Sequence, residues 1–144
     1  MASFRMTSVS FDGSSVFLPT VKVSLKGVGD WSPKLSGLVD TGAVCTLVPV
    51  TGSFLIGKTE AEVRSGPKCQ IRAANNAGVD VYRWTCDVRL WGDGNVPVDI
   101  LGGTVYFCDS DMPYQILIGQ HDALWGRAFA HIKLTGKPCY FTVR

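Results

Sequence analysis

The sequence predicts an all-β protein, mainly short strands closing into a barrel-like core with one or two short helices. Three observations predict it. Apolar residues recur with a period of two or in short continuous runs, the patterns of half-buried and of central strands. Sixteen glycines and seven prolines in 144 residues cut the chain into pieces of strand length. Helix signals are brief and confined to two places.

Taken in order, Ser8-Val9-Ser10-Phe11 reads as an N-terminal strand ahead of the turn Asp12-Gly13. Val21, Val23 and Leu25 then alternate with Lys22, Ser24 and Lys26, a strand with one buried face. Gly27 to Pro33 is a loop, Leu35 to Val39 a short strand, and Leu47-Val48-Pro49-Val50 another. Residues 57–66 suit a short helix, because Thr59 and Glu62 have capping-box spacing and Gly66-Pro67 stops it.

Cys69 to Ala73 and Val79 to Leu90 flank the polar segment Ala74-Asn75-Asn76-Ala77-Gly78, predicting a long hairpin with a flexible tip. Cys86, Val88 and Leu90 give its second arm one buried face. After the turn Asp93-Gly94, Val96, Val98 and Ile100 alternate again. Thr104 to Cys108 and Gln115 to Ile118 read as central strands. Residues 120–125, closed by Gly126, suit a helix of one or two turns. Phe129 to Leu134 and Tyr140 to Val143 form a last hairpin.

Composition narrows the function. A chain of this length is one domain, 1–144, with residues 1–16 read as an extra strand or leader and 17–143 as the core. The net charge of +2 comes from scattered Lys and Arg, which argues against a nucleic-acid partner. Apolar runs fall far short of the ~20 residues of a membrane span, so no membrane partner is expected. The N-terminus carries no apolar signal-peptide region, and a cytoplasmic location is expected unless the domain was cut from a larger chain.

The five cysteines are odd in number and widely spaced. They form no C-x-x-C pair, and His121 and His131 complete no ligand pattern with them. We expect reduced, mostly buried thiols, no metal and no cofactor.

The residues that carry chemistry begin at Asp40-Thr41-Gly42, which occurs once, after the apolar Leu38-Val39. An Asp at the end of an apolar strand, on a turn that Gly permits, is a carboxylate held by backbone. By average residue usage such a tripeptide arises by chance in roughly a few per cent of chains this long. The plain alternative is an Asp-Gly-type turn whose carboxylate only accepts backbone hydrogen bonds.

A second motif, Ile116-Leu117-Ile118-Gly119, follows the hairpin and leads into the short helix. Together with Gly37-Leu38-Val39-Asp40-Thr41-Gly42-Ala43, in this order and spacing, it resembles the retropepsin family of aspartic proteases, in a cellular or bacterial branch rather than a viral one. The resemblance covers roughly residues 17–143. It implies a closed, barrel-like acid protease fold of the single-lobe, dimer-forming type.

By that resemblance Asp40 is the catalytic carboxylate. Thr41 bonds across a two-fold axis to its symmetry mate, and Gly42 offers its carbonyl to substrate. Leu117-Ile118-Gly119 crosses beneath the Asp40 loop, residues 72–80 form a flap tip, and Phe141-Thr142-Val143 is a dimer-interface strand. Substrate would meet Ala43, Ala74, Asn75, Asn76, Gly78 and Ile118. Viral members carry a paired Asp and Arg where this chain has Val44 and Gln120. Both are absent together, so no unpaired charge is left behind.

No other D-T-G or D-S-G occurs, and a single-chain enzyme of this kind needs two such loops. A catalytic pair therefore implies a homodimer with Asp40 from each chain on the axis. Two carboxylates about 3 Å apart cannot both ionise, so they share a proton and activate one water. The expected function is an aspartic endopeptidase acting on a polypeptide. The alternative is a non-catalytic module of the same fold used for dimerisation or peptide binding. Of the aromatic residues, Tyr82 and Trp84 on the outgoing arm of the hairpin are the best specificity candidates, while the remaining tryptophans read as packing.

Overall fold

The structure is a computed structural model that describes residues 2–40, 42–72, 76–109, 115–120, 129–133 and 140–143, the last two segments and Ala2 as backbone alone. Among them run twelve strands. They are β1 (Ala2–Arg5), β2 (Thr7–Phe11), β3 (Ser14–Leu18), β4 (Thr20–Lys26), β5 (Leu35–Val39), β6 (Leu47–Pro49), β7 (Lys68–Arg72), β8 (Gly78–Trp91), β9 (Pro97–Cys108), β10 (Ile116–Ile118), β11 (Phe129–Lys133) and β12 (Tyr140–Val143). The helix expected at 120–125 lies outside the described residues, apart from Gln120.

Six strands close into a barrel in the order β4-β5-β10-β6-β9-β8, with β8 returning to pair β4. Closure removes the open edges that a flat sheet would expose. The 14-residue β8 makes it possible. Its first residues, Gly78 to Tyr82, pair β7, its last, Asp87 to Trp91, pair β4, and β9 runs along nearly all of it. The β7–β8 hairpin is therefore an extension of the barrel wall.

Phe107, Leu25, Leu90, Ile116, Ile118, Val23 and Val48 are almost fully buried and fill the interior. Each contributes about 1.5–3 kcal/mol relative to an exposed position. The expected alternation in β4 fails at Ser24, which is as buried as Leu25. Its Oγ accepts the Trp91 Nε1–H at 3.0 Å, so a polar side chain is satisfied where the pattern predicts solvent.

Two further expectations are corrected. The segments around Val96–Ile100 and Thr104–Cys108 are one strand, β9, because a register irregularity opposite Cys86–Val88 absorbs the turn-like Gly102, whose φ is +61°. The strand at Leu47 ends at Pro49, and Val50–Ile56 is a 3₁₀ segment that packs Leu55 and Ile56 inward. The N-terminal residues run in strands: β1 pairs β12, and Phe4 and Met6 belong to the apolar interior.

The short helix α1 (Glu60–Arg64) forms as its caps predict. Glu62 N–H donates to Thr59 Oγ1 at 3.1 Å, and Thr59 N–H reaches Glu62 Oε1 at 3.4 Å. Val63 is its only buried residue. Cys45, Cys86 and Cys108 are buried, Cys69 is exposed, and all four are free thiols.

Candidate active site

Asp40 directly follows β5, at the point where the chain leaves the barrel wall. Its backbone N–H donates to the Ile118 carbonyl at 2.9 Å, so β10 holds the loop from below. Ala43 N–H returns to the Asp40 carbonyl at 3.2 Å, closing a four-residue turn. Gly42 N–H donates to Asp40 Oδ1 at 2.8 Å. This last bond is an Asx turn, and it fixes the rotation of the carboxylate. Among the described residues Oδ2 takes no hydrogen bond. One oxygen is thus committed to orientation, and the described residues leave the other to a ligand, a water or a second carboxylate. Asp40 itself is half-buried.

The strand beneath is fastened in several places. Leu117 and Ile118 pair in parallel with Leu38 and Val39. Gln120 N–H donates to the Ala43 carbonyl at 2.9 Å, and Gly119 N–H donates to the buried Thr46 Oγ1 at 3.2 Å. Thr46 in turn accepts Tyr106 N–H on its carbonyl at 2.9 Å, tying the loop to β9. Gly119 is required by close approach: a Cβ there would overlap the Cys45 backbone. The loop from Asp40 to Thr46 therefore rests directly on the strand carrying the second motif.

Not every expected site residue is brought together. Asp40, Gly42 and Ala43 share the turn, and Ile118 supports it through its carbonyl. The Ile118 side chain is 1% exposed and packs toward Gly37, so it is a core residue and not one that faces a ligand. Thr41, Ala74 and Asn75 lie outside the described residues.

Asn76 and Gly78 belong to the β7–β8 hairpin, where Arg72 Nη1 donates to Asn76 Oδ1 at 2.8 Å and Gly78 pairs with Arg72. Among the described residues no hydrogen bond joins either of them to the Asp40 loop. Asn76 takes a positive φ of 64°, as its position beside the hairpin tip demands.

Tyr82 and Trp84 are framework residues. Tyr82 is buried and its hydroxyl donates to Asp109 Oδ2 at 3.1 Å; burial and this bond both push the phenol up from its ordinary value. Asp109 also holds Arg64 at 2.9 Å, which raises that guanidinium further. Trp84 Nε1–H caps the Val63 carbonyl at 2.8 Å, and Lys58 sits 5.1 Å from its ring. The side chains of His121 and His131 lie outside the described residues.

Two features escaped the sequence. Leu38, Leu117 and Leu47 are register neighbours across β5, β10 and β6, all half-buried and on the face opposite the barrel interior. They form an apolar row whose nearest member, Leu38, is two residues before Asp40, and the signal lies in the middle position of Ile-Leu-Ile. Val44 is 63% exposed on the same loop. Both offer apolar surface beside the carboxylate.

The Cys45 thiol, between Val44 and Thr46, is pushed up to about 11 by burial, and Cys86 to about 12. Both are poor thiolates. Among the described residues no cluster of three or more His, Cys, Asp or Glu side chains has the arrangement to hold a metal ion. No described helix is long and apolar enough to cross a membrane.

The strand containing Phe141 to Val143 has both of its edges filled within its own chain, by β1 on one side and β11 on the other. It has no free edge to offer a second copy. The chain matches no protein-family model and no curated protein.

Proposed function

We propose that this chain is one half of an aspartic endopeptidase that hydrolyses peptide bonds as a homodimer. The observation that carries the reading is the Asp40 carboxylate. Its orientation is set by Gly42 N–H, its loop is braced by Ile118, Gln120 and Thr46, and among the described residues nothing bonds Oδ2. A turn that served only to reverse the chain would not need a second strand fastened beneath it.

In a dimer, two such carboxylates across the axis share one proton. The ionised one takes a proton from a bound water as that water attacks the scissile carbonyl. The protonated one donates to the carbonyl oxygen. An extended peptide would pair with strand edges, its side chains against the row of Leu38, Leu47 and Leu117. The β7–β8 hairpin would cover it.

Asp40→Asn tests this directly. The variant should lose cleavage of an unfolded protein substrate by about 10³-fold or more while keeping its oligomeric state and its thermal midpoint. Cleavage retained in the variant would end the reading. A wild-type dimer that binds peptide but cleaves none would establish the non-catalytic module instead.

A further inference from the structure

The β2–β3 hairpin forms a two-stranded sheet of its own, apart from the barrel. Its turn is well formed: Asp12 and Gly13 both have positive φ, 47° and 73°, as a two-residue hairpin turn requires. Val9 faces Val16, Phe11 faces Ser14 and Thr7 faces Leu18 across the ribbon. These pairs share one face, so Val9, Phe11, Val16 and Leu18 make it apolar, while Ser8, Ser10 and Ser15 lie on the other. Phe17, on the serine face, packs against the barrel core and anchors the base. The apolar face is thereby turned outward, with Phe11 71% and Val16 38% exposed. A two-stranded ribbon in water is marginal by itself.

A groove of about 570 Å³ opens at the base of the same hairpin. Phe4 and Val21 contribute apolar surface to it, and Arg5, Lys22 and Lys34 bring three cations against one carboxylate, Asp93. That carboxylate already accepts Arg5 N–H. The cations are held in place: Lys34 lies 4.2 Å over the Trp91 ring and donates to Asn95 Oδ1, and Lys22 donates to Ser36 Oγ. Asp12, at the tip, is the one charged residue of the hairpin. The groove is basic and partly apolar; the tip is an exposed Phe followed by an Asp.

We infer that the hairpin tip of one chain, Phe11-Asp12, seats in this groove on a second copy, and the exchange is reciprocal. The tip cannot serve its own groove, because the strands carry it about 15 Å from the base at ~3.3 Å per residue. A two-fold axis makes both contacts at once, and the surface is self-complementary in charge and apolarity. The groove wall includes Ser36, four residues before Asp40 on β5, so the partner docks about 13 Å from the carboxylate. The inference deepens the peptidase reading by naming how the second half of the site is recruited, since β12 has no edge to spare.

The test is sedimentation of the full chain across roughly 1–100 µM, at low and high salt. The wild type should dimerise, less tightly at high salt. Phe11→Ser and Asp12→Lys should each weaken the dimer by at least about tenfold with unchanged circular dichroism, since both positions are exposed. Adding Lys22→Asp to Asp12→Lys should restore association. Asp40→Asn should dimerise as the wild type does, so the dimer is judged independently of catalysis. A monomeric wild type, an unaffected Phe11→Ser dimer, or a charge swap without recovery would overturn the docking.

Discussion

The Asp40 loop and the surface around Trp31 and Trp91 are both anchored irregular structure on one barrel, and they are held by opposite means. At Asp40 nearly every tie is backbone: Asp40 to Ile118, Ala43 to Asp40, Gln120 to Ala43, Tyr106 to Thr46. At the tryptophans the ties are side chains. Arg89 lies 4.1 Å from the Trp31 ring and 5.4 Å from the Trp91 ring, and it forks onto Asp99 at 2.6 and 2.9 Å. Lys34 covers Trp91 and Lys26 approaches Trp31 at 5.8 Å.

Backbone ties depend on which residues permit close approach, so they fail abruptly when a Cβ is added. Side-chain ties are worth about 0.5–1 kcal/mol each at exposed sites and fail by degrees. The catalytic role proposed for Asp40 would need its carboxylate held to within a fraction of an ångström, and the first kind of anchoring suits that.

The contrast is broken most severely at Gly119. Gly119→Ala forces a methyl into the Cys45 backbone, which has no flexible end to move aside. We expect a loss of more than about 3 kcal/mol, read as a fall in the denaturant midpoint, with activity lost in whatever fraction stays folded. A tolerated alanine would mean that the loop does not rest on β10.

Thr46→Val is a gentler cut at the same support. It keeps shape and burial but leaves the Gly119 N–H without its acceptor, costing about 1–3 kcal/mol. Calorimetry should place its thermal midpoint several degrees lower. Because the loop is displaced rather than removed, kcat should fall while the fold persists.

These two residues also mark how far the sequence reaches. The turn at Asp40 and the strand at Ile116 are legible because each is a short motif whose residue types are dictated locally: Gly for a tight turn, alternating apolar residues above a core. The hairpin turn at Asp12-Gly13 and the Thr59–Glu62 capping box are legible for the same reason.

Thr46 is not, because its importance lies in a bond to Gly119, far along the chain. Ser24 is misjudged because its partner, Trp91, comes from another strand. The β1–β12 pairing joins Ala2 to Val143 across almost the whole sequence, and no local pattern encodes it. Trp31 and Trp91 read as separate packing residues because Arg89, which joins them, is an unremarkable strand cation until β8 curls back to β4.

The smallest expected effect lies at that cation, and it sharpens the comparison by being gradual. The fork from Arg89 holds the Asp99 carboxyl below its ordinary value, chiefly through the hydrogen bond. A carboxyl whose folded value is depressed stabilises the fold above its unfolded value, near pH ~3.9, and that contribution is lost as pH falls through the lower folded value. Both side chains are partly exposed, at 22% and 34%, so solvent screening limits the contribution to under about 1 kcal/mol. Arg89→Leu should lower stability measurably at pH 7 from the lost ion pair and ring contacts together. It should also remove this part of the acid dependence, so that wild type and variant converge in stability as pH is taken from 7 down through ~3.9 and below. Urea titrations at the two ends of that range make the measurement. A constant difference between the proteins would show that the rings, and not the Asp99 fork, carry what Arg89 contributes.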